Sequence, residues 1–387
     1  MYDERTKIIN FSIFSFAYFF ILSSTGAFQQ FLIPYLINNI KLSAEQASLI
    51  LAVVYFSFFA FRILISYLIY YLGDYWALFL GGLTYFIFTV SLLFVGNFWG
   101  LMFMAIIWGL GAALMWTTST TLLLDMGDLK KEHGFLMSLF YGAGRFGFAI
   151  GIIFIGILIA YIGIRKTIAV NSIITGIGVL SFLFLSNTDK SQREKPDIKK
   201  IFEIIISPQA VTVGLVLFFS SISFGLCLGF FSKYISIKYG IANIAGITIF
   251  FHLMRAFLTT FSSLIADRFR KNTILYVSFI FSAIGLIFCV LLQGVIGLIV
   301  GLFLLSFTAI IEPISIAIIG EISESKNRHL AIGSIFAWRD LGIALSIVMA
   351  QFFESIFKNM EISLLLFSML FILCAILSRR AKEFKRI

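Results

Sequence analysis

Long apolar stretches separated by short polar intervals set the pattern of this chain. A helix needs about 20 apolar residues to cross a hydrocarbon core roughly 30 Å thick. Twelve stretches of that order occur: 9–37, 46–71, 76–96, 98–124, 134–161 and 165–186, then 210–232, 243–266, 273–293, 295–320, 330–353 and 362–378. Ser43 and Gln46 have the spacing of a capping box ahead of the second stretch. The longest interval without a span runs from Asn187 to Pro208 and holds Pro196, Pro208 and nine charged residues. It divides the chain near its midpoint, predicting a first helical bundle over 1–186, a linker over 187–208 and a second bundle with a short basic tail over 209–387. Lys199 to Ile206 reads equally as a short surface helix or as solvated linker. The N-terminus leads directly into apolar sequence without a small-residue cleavage site, the pattern of an uncleaved first helix. The expected fold is all-α, a membrane protein of twelve transmembrane helices in two six-helix bundles.

Composition supports lipid as the surroundings. Of 387 residues 60% are hydrophobic and 12% charged, against about 25% charged in soluble domains. Net charge is +10, carried in short runs between apolar stretches rather than in a basic patch with exposed aromatics, which argues against nucleic acid. With the N-terminus inside, the inside loops and tails hold 19 Lys and Arg and the outside loops six, the other four of the 29 lying within spans. That asymmetry places both termini in the cytoplasm and predicts a multi-pass protein of the cell membrane. Cys227, Cys289 and Cys374 lie far apart within apolar stretches, as buried thiols do. No metal-ligand spacing, nucleotide loop or hydrolase motif occurs, so neither cofactor nor metal nor enzymatic activity is expected. A monomer is the expected unit.

The halves repeat weakly at a spacing of about 196 residues. Asp125 and Asp128 correspond to Glu321 and Glu324, and Ser66 corresponds within one residue to Ser263; internal repeats are a transporter signature. After the eighth stretch, the run from Ser263 through Leu264, Ile265, Ala266, Asp267, Arg268, Phe269, Arg270 and Lys271 resembles the loop motif of the major facilitator superfamily. Arg270 stands where that motif has Gly. The equivalent loop from Ser66 to Tyr75 keeps Gly73 but has Tyr70 in place of Asp, with Arg62 eight residues earlier. Gly109, Leu110 and Gly111 match the next motif, whose Arg is Ala105 here, and Gly163, Ile164 and Arg165 also look similar. The resemblance implies two bundles rocking about a central cavity, with segments 1, 4, 7 and 10 lining it and 2, 5, 8 and 11 beside them. It also implies that Asp267, Arg268, Arg270 and Lys271 form a cytoplasmic gate against the start of segment 5. Independently, polar residues gather on segment 1 (Ser23, Ser24, Thr25, Gln29, Gln30), segment 4 (Thr117 to Thr121) and segment 7 (Ser220, Ser221, Ser223).

Ionisable residues in mid-membrane are costly and mark functional sites. Here they are Arg62, Arg145, His252, Arg255, Glu312, Arg339 and Asp340. Counting helical rise, Arg145, Arg255, Glu312 and Arg339 fall roughly 14–18 Å from the cytoplasmic ends of their segments, one shared level. His252, Arg255, Thr259 and Ser262 form one polar stripe down segment 8. Gly147 and Gly151 form a packing seam on segment 5 and set Arg145 on the opposite, cavity-facing side. Pro313 crowds the carbonyl of Ala309 and predicts a distortion beside Glu312. Four arginines against two carboxylates leave a surplus of positive charge. Arg62, Arg145, Arg255 and Arg339 are therefore candidates for binding an anionic or carboxylate-bearing solute. Glu312, Asp340 and His252 are candidates for charge pairing or for carrying a coupling proton. Trp116, Tyr141 and Trp338 are candidates for stacking on substrate or for plain packing. Drug efflux, sugar uptake, a non-transporting sensor and a membrane enzyme are the competing functions.

Overall fold

The computed structural model describes residues 4–127, 133–185, 195–197, 199, 203–204, 206–292, 294–322 and 328–380. Expectations placed on Asp128, Glu324, most of the 187–208 interval and the side chains of Ser263, Asp267 and Glu321 lie outside the described residues. The described secondary structure is helical throughout. Segment 1 consists of α1 (Glu4–Ile21) and α2 (Ala27–Tyr35), each followed by a π-helical turn, Leu22–Gly26 and Leu36–Ile40. Next come α3 (Ala44–Leu72), α4 (Asp74–Ser91), α5 (Phe98–Gly127), α6 (His133–Ile162) and α7 (Ile164–Ser181). In the second half, α8 (Pro208–Leu226) passes through the π turn Cys227–Phe231 into α9 (Ser232–Tyr239). They are followed by α10 (Asn243–Thr260), α11 (Ser262–Arg268), α12 (Lys271–Leu291), α13 (Val295–Leu305), α14 (Ile311–Ile322), α15 (Arg328–Phe357) and α16 (Met360–Arg380).

Among the described residues ten helical rods are long and apolar enough to cross a membrane, rather than the twelve expected. The two stretches outside that set are α4, which has 18 residues and ends at Ser91, and 243–268. The latter breaks at Phe261 (φ −96°, ψ 11°) into pieces of 18 and seven residues. The capping box is present: the Gln46 N–H donates to Ser43 Oγ and the Ser43 N–H to Gln46 Oε1. Gly73 and Gly163 turn the chain between helices with φ of 77° and 78°, a region in which glycine has no side chain to clash.

The most extensive packing between the halves is of α3 along α15 and of α6 along α10. At the end of the molecule carrying Asn38, α2 also meets α9. Close packing requires the small residues. A Cβ on Gly151 would fall 2.0 Å from the carbonyl oxygen of Ser23, and one on Gly147 would fall 2.8 Å from that of Phe19. Segment 5 thus lies backbone to backbone on segment 1, as small-residue seams allow. The distortion expected near Pro313 is a 3-10 turn over Ser306–Ile310, one turn earlier than Glu312. Proline has no N–H for the carbonyl four residues back, so the strain is taken up on its N-terminal side.

Candidate substrate cavity

Arg145 sits on the face of α6 away from the glycine seam and lines a cavity between the halves. The opposite wall carries Arg255 from α10, Glu312 from α14 and Arg339 from α15. Aromatic rings fill much of the remaining surface, with Tyr55, Tyr85, Trp108, Trp116 and Phe224 prominent among them. The free room is about 70 Å³, space for roughly five water-sized spheres. Its lining comes from segments 1, 2, 3, 4, 5, 7, 8, 10 and 11, and from none of segments 6, 9 and 12.

The charges form a chain of alternating sign across the seam between the halves. Arg145 Nη2 donates to Glu312 Oε2 at 2.6 Å, and Arg339 Nη1 donates to the other oxygen, Glu312 Oε1. Arg339 turns its Nε (3.0 Å) and Nη2 (2.8 Å) to Asp340 Oδ1. Asp340 Oδ2 lies 2.8 Å from Arg62 Nε. That last contact is ionic only, because neither atom makes a directed hydrogen bond. Arg62 and Asp340 are 2% and 0% exposed, so an unpaired charge at either place would cost several kcal/mol. Neither lines the cavity. Arg62, a sequence candidate for substrate binding, lies outside that lining and meets α15 through its ion pair with Asp340.

Arg255 differs from the other three in having no carboxylate partner among the described residues. It lies 4.0 Å above the Phe224 ring and 5.3 Å from the Phe251 centroid, yet its buried Nε and Nη1 have no hydrogen-bond acceptor. Cation–π contact returns about 2 kcal/mol or somewhat more for a desolvated cation, less than the desolvation of a guanidinium costs. Arg145 also overlies Phe224, at 5.7 Å, so two cations share one aromatic neighbour. Four guanidinium groups and two ionised carboxylates leave a charge of +2 around the cavity, and both oxygens of Glu312 are engaged.

His252, one turn from Arg255, belongs to a different cluster. Its Nε2 is 3.1 Å from Gln30 Oε1 and 3.8 Å from Cys227 Sγ, and its ring lies against Phe148 at 4.8 Å. Gln30 Nε2 in turn donates to the carbonyl of Cys227 at 2.9 Å and to Ser232 Oγ. These bonds tie segment 1 to segment 7 beyond the cavity, towards the Asn38 end, where Asn38 Nδ2 reaches Ser236 Oγ at 3.4 Å. Further out, Lys233 Nζ binds Gln351 Oε1 (2.7 Å) and Glu354 Oε2 (2.6 Å). On the other side of the cavity Ser138 and Ser262 share a hydrogen bond of 2.9 Å. Polar contacts therefore bridge the halves both above and below the cavity.

Of the residues assigned to the gate, Arg268 and Arg270 are exposed and Lys271 is half-buried at the start of α12. They are far from the charge chain in sequence, and α11 packs on α14 and α6. Ser220, Ser221 and Ser223 do line the cavity, but their hydroxyl protons are given to the carbonyls of Leu217, Phe218 and Ser220. Thr25 is turned away from the cavity, into a knot with Thr89 and Thr175. Trp116 lines the cavity with its Nε1 bonded to Tyr85 Oη at 3.0 Å. Trp108 also lines it and was not singled out from sequence, although Trp108, Ala112 and Trp116 recur at every fourth position.

The family model described as Major Facilitator Superfamily matches residues 14–254, more than half of the chain. The chain belongs to the major facilitator superfamily. No curated protein matches it in sequence. Among solved structures, this superfamily member is similar to the transporter FucP in its outward conformation (TM-score 0.71, 16% identity, covering 97% of this chain and 99% of that one). A variant of FucP, the E. coli fucose:proton symporter, is similar at TM-score 0.70 and 15% identity with the same coverage. Likeness at such identity speaks for the fold. Membership makes the protein a multi-pass membrane transporter rather than an enzyme.

Proposed function

We propose that this protein is a secondary transporter for a small organic anion, with a carboxylate as the group recognised. The observation that carries the reading is Arg255, a buried guanidinium at the cavity wall with two nitrogens lacking acceptors. A carboxylate there would gain a charge-assisted hydrogen bond and offset the surplus charge. In this reading the chain spans the cell membrane twelve times, with both termini in the cytoplasm and the 187–208 linker joining two six-helix bundles. The protein works as a monomer, and the Asn38 end faces outward. Arg145 and Arg339 hold Glu312 at the cavity floor. Substrate arriving at Arg255 draws on Arg145 and loosens its bond to Glu312, freeing that carboxylate to take a proton. Asp340 and Arg62 hold register between α3 and α15, and Asp267, Arg268, Arg270 and Lys271 act at the cytoplasmic gate. Alternating access follows as the Gln30 cluster and the Ser138–Ser262 contact open in turn.

Sugar–proton symport is the second reading, supported by the aromatic cavity wall and the fold shared with a fucose:proton symporter. Uptake by proteoliposomes without ATP, with a panel of short carboxylates and neutral sugars, separates the two. The anion reading expects carboxylates to be accumulated and sugars to be excluded, and it is wrong if only sugars move.

A further inference from the structure

Most polar groups of the cavity wall already have a hydrogen-bond partner. Glu312 has both oxygens engaged, and Gln29 Oε1 already accepts from Tyr55 Oη. Tyr85 Oη accepts from Trp116 Nε1, and Ser220, Ser221 and Ser223 give their protons to backbone carbonyls. Two buried donors remain without acceptors: the Arg255 guanidinium on α10 and the Trp108 indole Nε1 on α5. Both residues line the cavity, and they come from opposite halves of the chain. An indole N–H and a guanidinium can only donate. Buried donors are almost always satisfied in native proteins, so two in one cavity describe what they are built to meet.

We infer that the ligand is a short carboxylate bearing a second, distal oxygen acceptor, its carboxylate on Arg255 and its far oxygen on the Trp108 indole N–H. The inference rests on the anion reading above and adds Trp108 as the residue that sets specificity. A neutral polyol fits less well, because it would leave the charge on Arg255 without a counter-ion. A plain fatty acid would satisfy Arg255 and leave Trp108 unmet. The indole is held for this role. Its ring is stacked on Phe88 at 4.2 Å with an interplanar angle of 29° and is edged by Tyr85 at 5.4 Å. A ligand joined to α5 at one end and α10 at the other would draw the halves together over itself, which is what occlusion requires.

The test is binding of matched acids, butyrate with 4-hydroxybutyrate and hexanoate with 6-hydroxyhexanoate, to the purified full-length protein by calorimetry. At least one hydroxy acid should bind about tenfold tighter than its parent, since a site with a buried donor rejects the analogue that lacks the acceptor. Trp108→Phe keeps the ring and removes the N–H; it should abolish that preference, so that each hydroxy acid binds no tighter than its parent. In wild-type protein labelled with 15N-tryptophan, one indole N–H resonance should shift with the hydroxy acid and not with its parent, a readout independent of how the variant folds. The inference is overturned if none of the four acids binds, if parent and hydroxy acids bind equally, or if the preference survives in Trp108→Phe. Arg255→Gln should lose both members of each pair. Retention of both in that variant would instead sink the anion reading itself, whatever Trp108 does.

Discussion

Asp340→Asn probes the charge chain where the geometry is least forgiving. Asp340 is the only carboxylate in contact with Arg62 among the described residues and also receives two hydrogen bonds from Arg339. Asparagine keeps the shape and removes the charge, leaving Arg62, itself 2% exposed, as an uncompensated buried cation. Breaking a buried pair in this way costs about 3–5 kcal/mol. Unfolding entropy near 2.1 cal/mol/K per residue comes to about 0.8 kcal/mol/K over 387 residues. The melting temperature should therefore fall by about 4–6 °C. Arg62→Met should cost less, because it removes one of the surplus cations and leaves Asp340 paired with Arg339. The double variant Arg62→Met/Asp340→Asn should recover part of the loss, the signature of coupled sites. Thermal unfolding of detergent-purified protein, followed by tryptophan fluorescence, reads all three. An Asp340→Asn protein melting with the wild type, or below it by less than Arg62→Met, would refute the assignment of Asp340 as the shared anchor.

Other consequences follow from the same geometry. Gly151→Ala places a methyl group 2.0 Å from the Ser23 carbonyl and should lower stability by about 1–3 kcal/mol, whereas a seam with slack would tolerate it. Cys227 is fully buried beside Gln30. In a protein lacking Cys289 and Cys374, alkylation by a small maleimide should be slow and should quicken in Gln30→Ala, and an unchanged rate would remove Gln30 from the closure. Glu312→Gln should transport without responding to a pH gradient; persistent coupling would pass the proton role to another group.

Much of this arrangement was legible in the sequence because it depends on local periodicity. Arg145 points away from Gly147 and Gly151 for the same reason that residues two apart on a helix face nearly opposite directions. The cap at Ser43 and the distortion before Pro313 are local too. What stayed hidden depends on contacts between distant helices. Nothing in the pattern separates Arg255, which lacks an acceptor, from Arg62, which is paired, because pairing is decided by how α3 meets α15. His252 shares a helical stripe with Arg255, yet faces Gln30 rather than the cavity. Trp108 was lost among 47 phenylalanines and five tryptophans, where an aromatic on an apolar helix carries no signal of its own. The early end of α4 and the break at Phe261 show that an apolar run need not be a helix over its full length.

The central claim is that Arg255 is kept for a ligand and not for the fold, and Arg255→Gln separates the two roles. Removing an unpaired buried charge should leave the ligand-free melting temperature unchanged or higher, since the lost contact with Phe224 is worth less than the desolvation relieved. The same variant, reconstituted in proteoliposomes, should show no carboxylate uptake above protein-free vesicles. Wild-type uptake in that variant, or a ligand-free melting temperature lower by about 5 °C or more, would contradict the account.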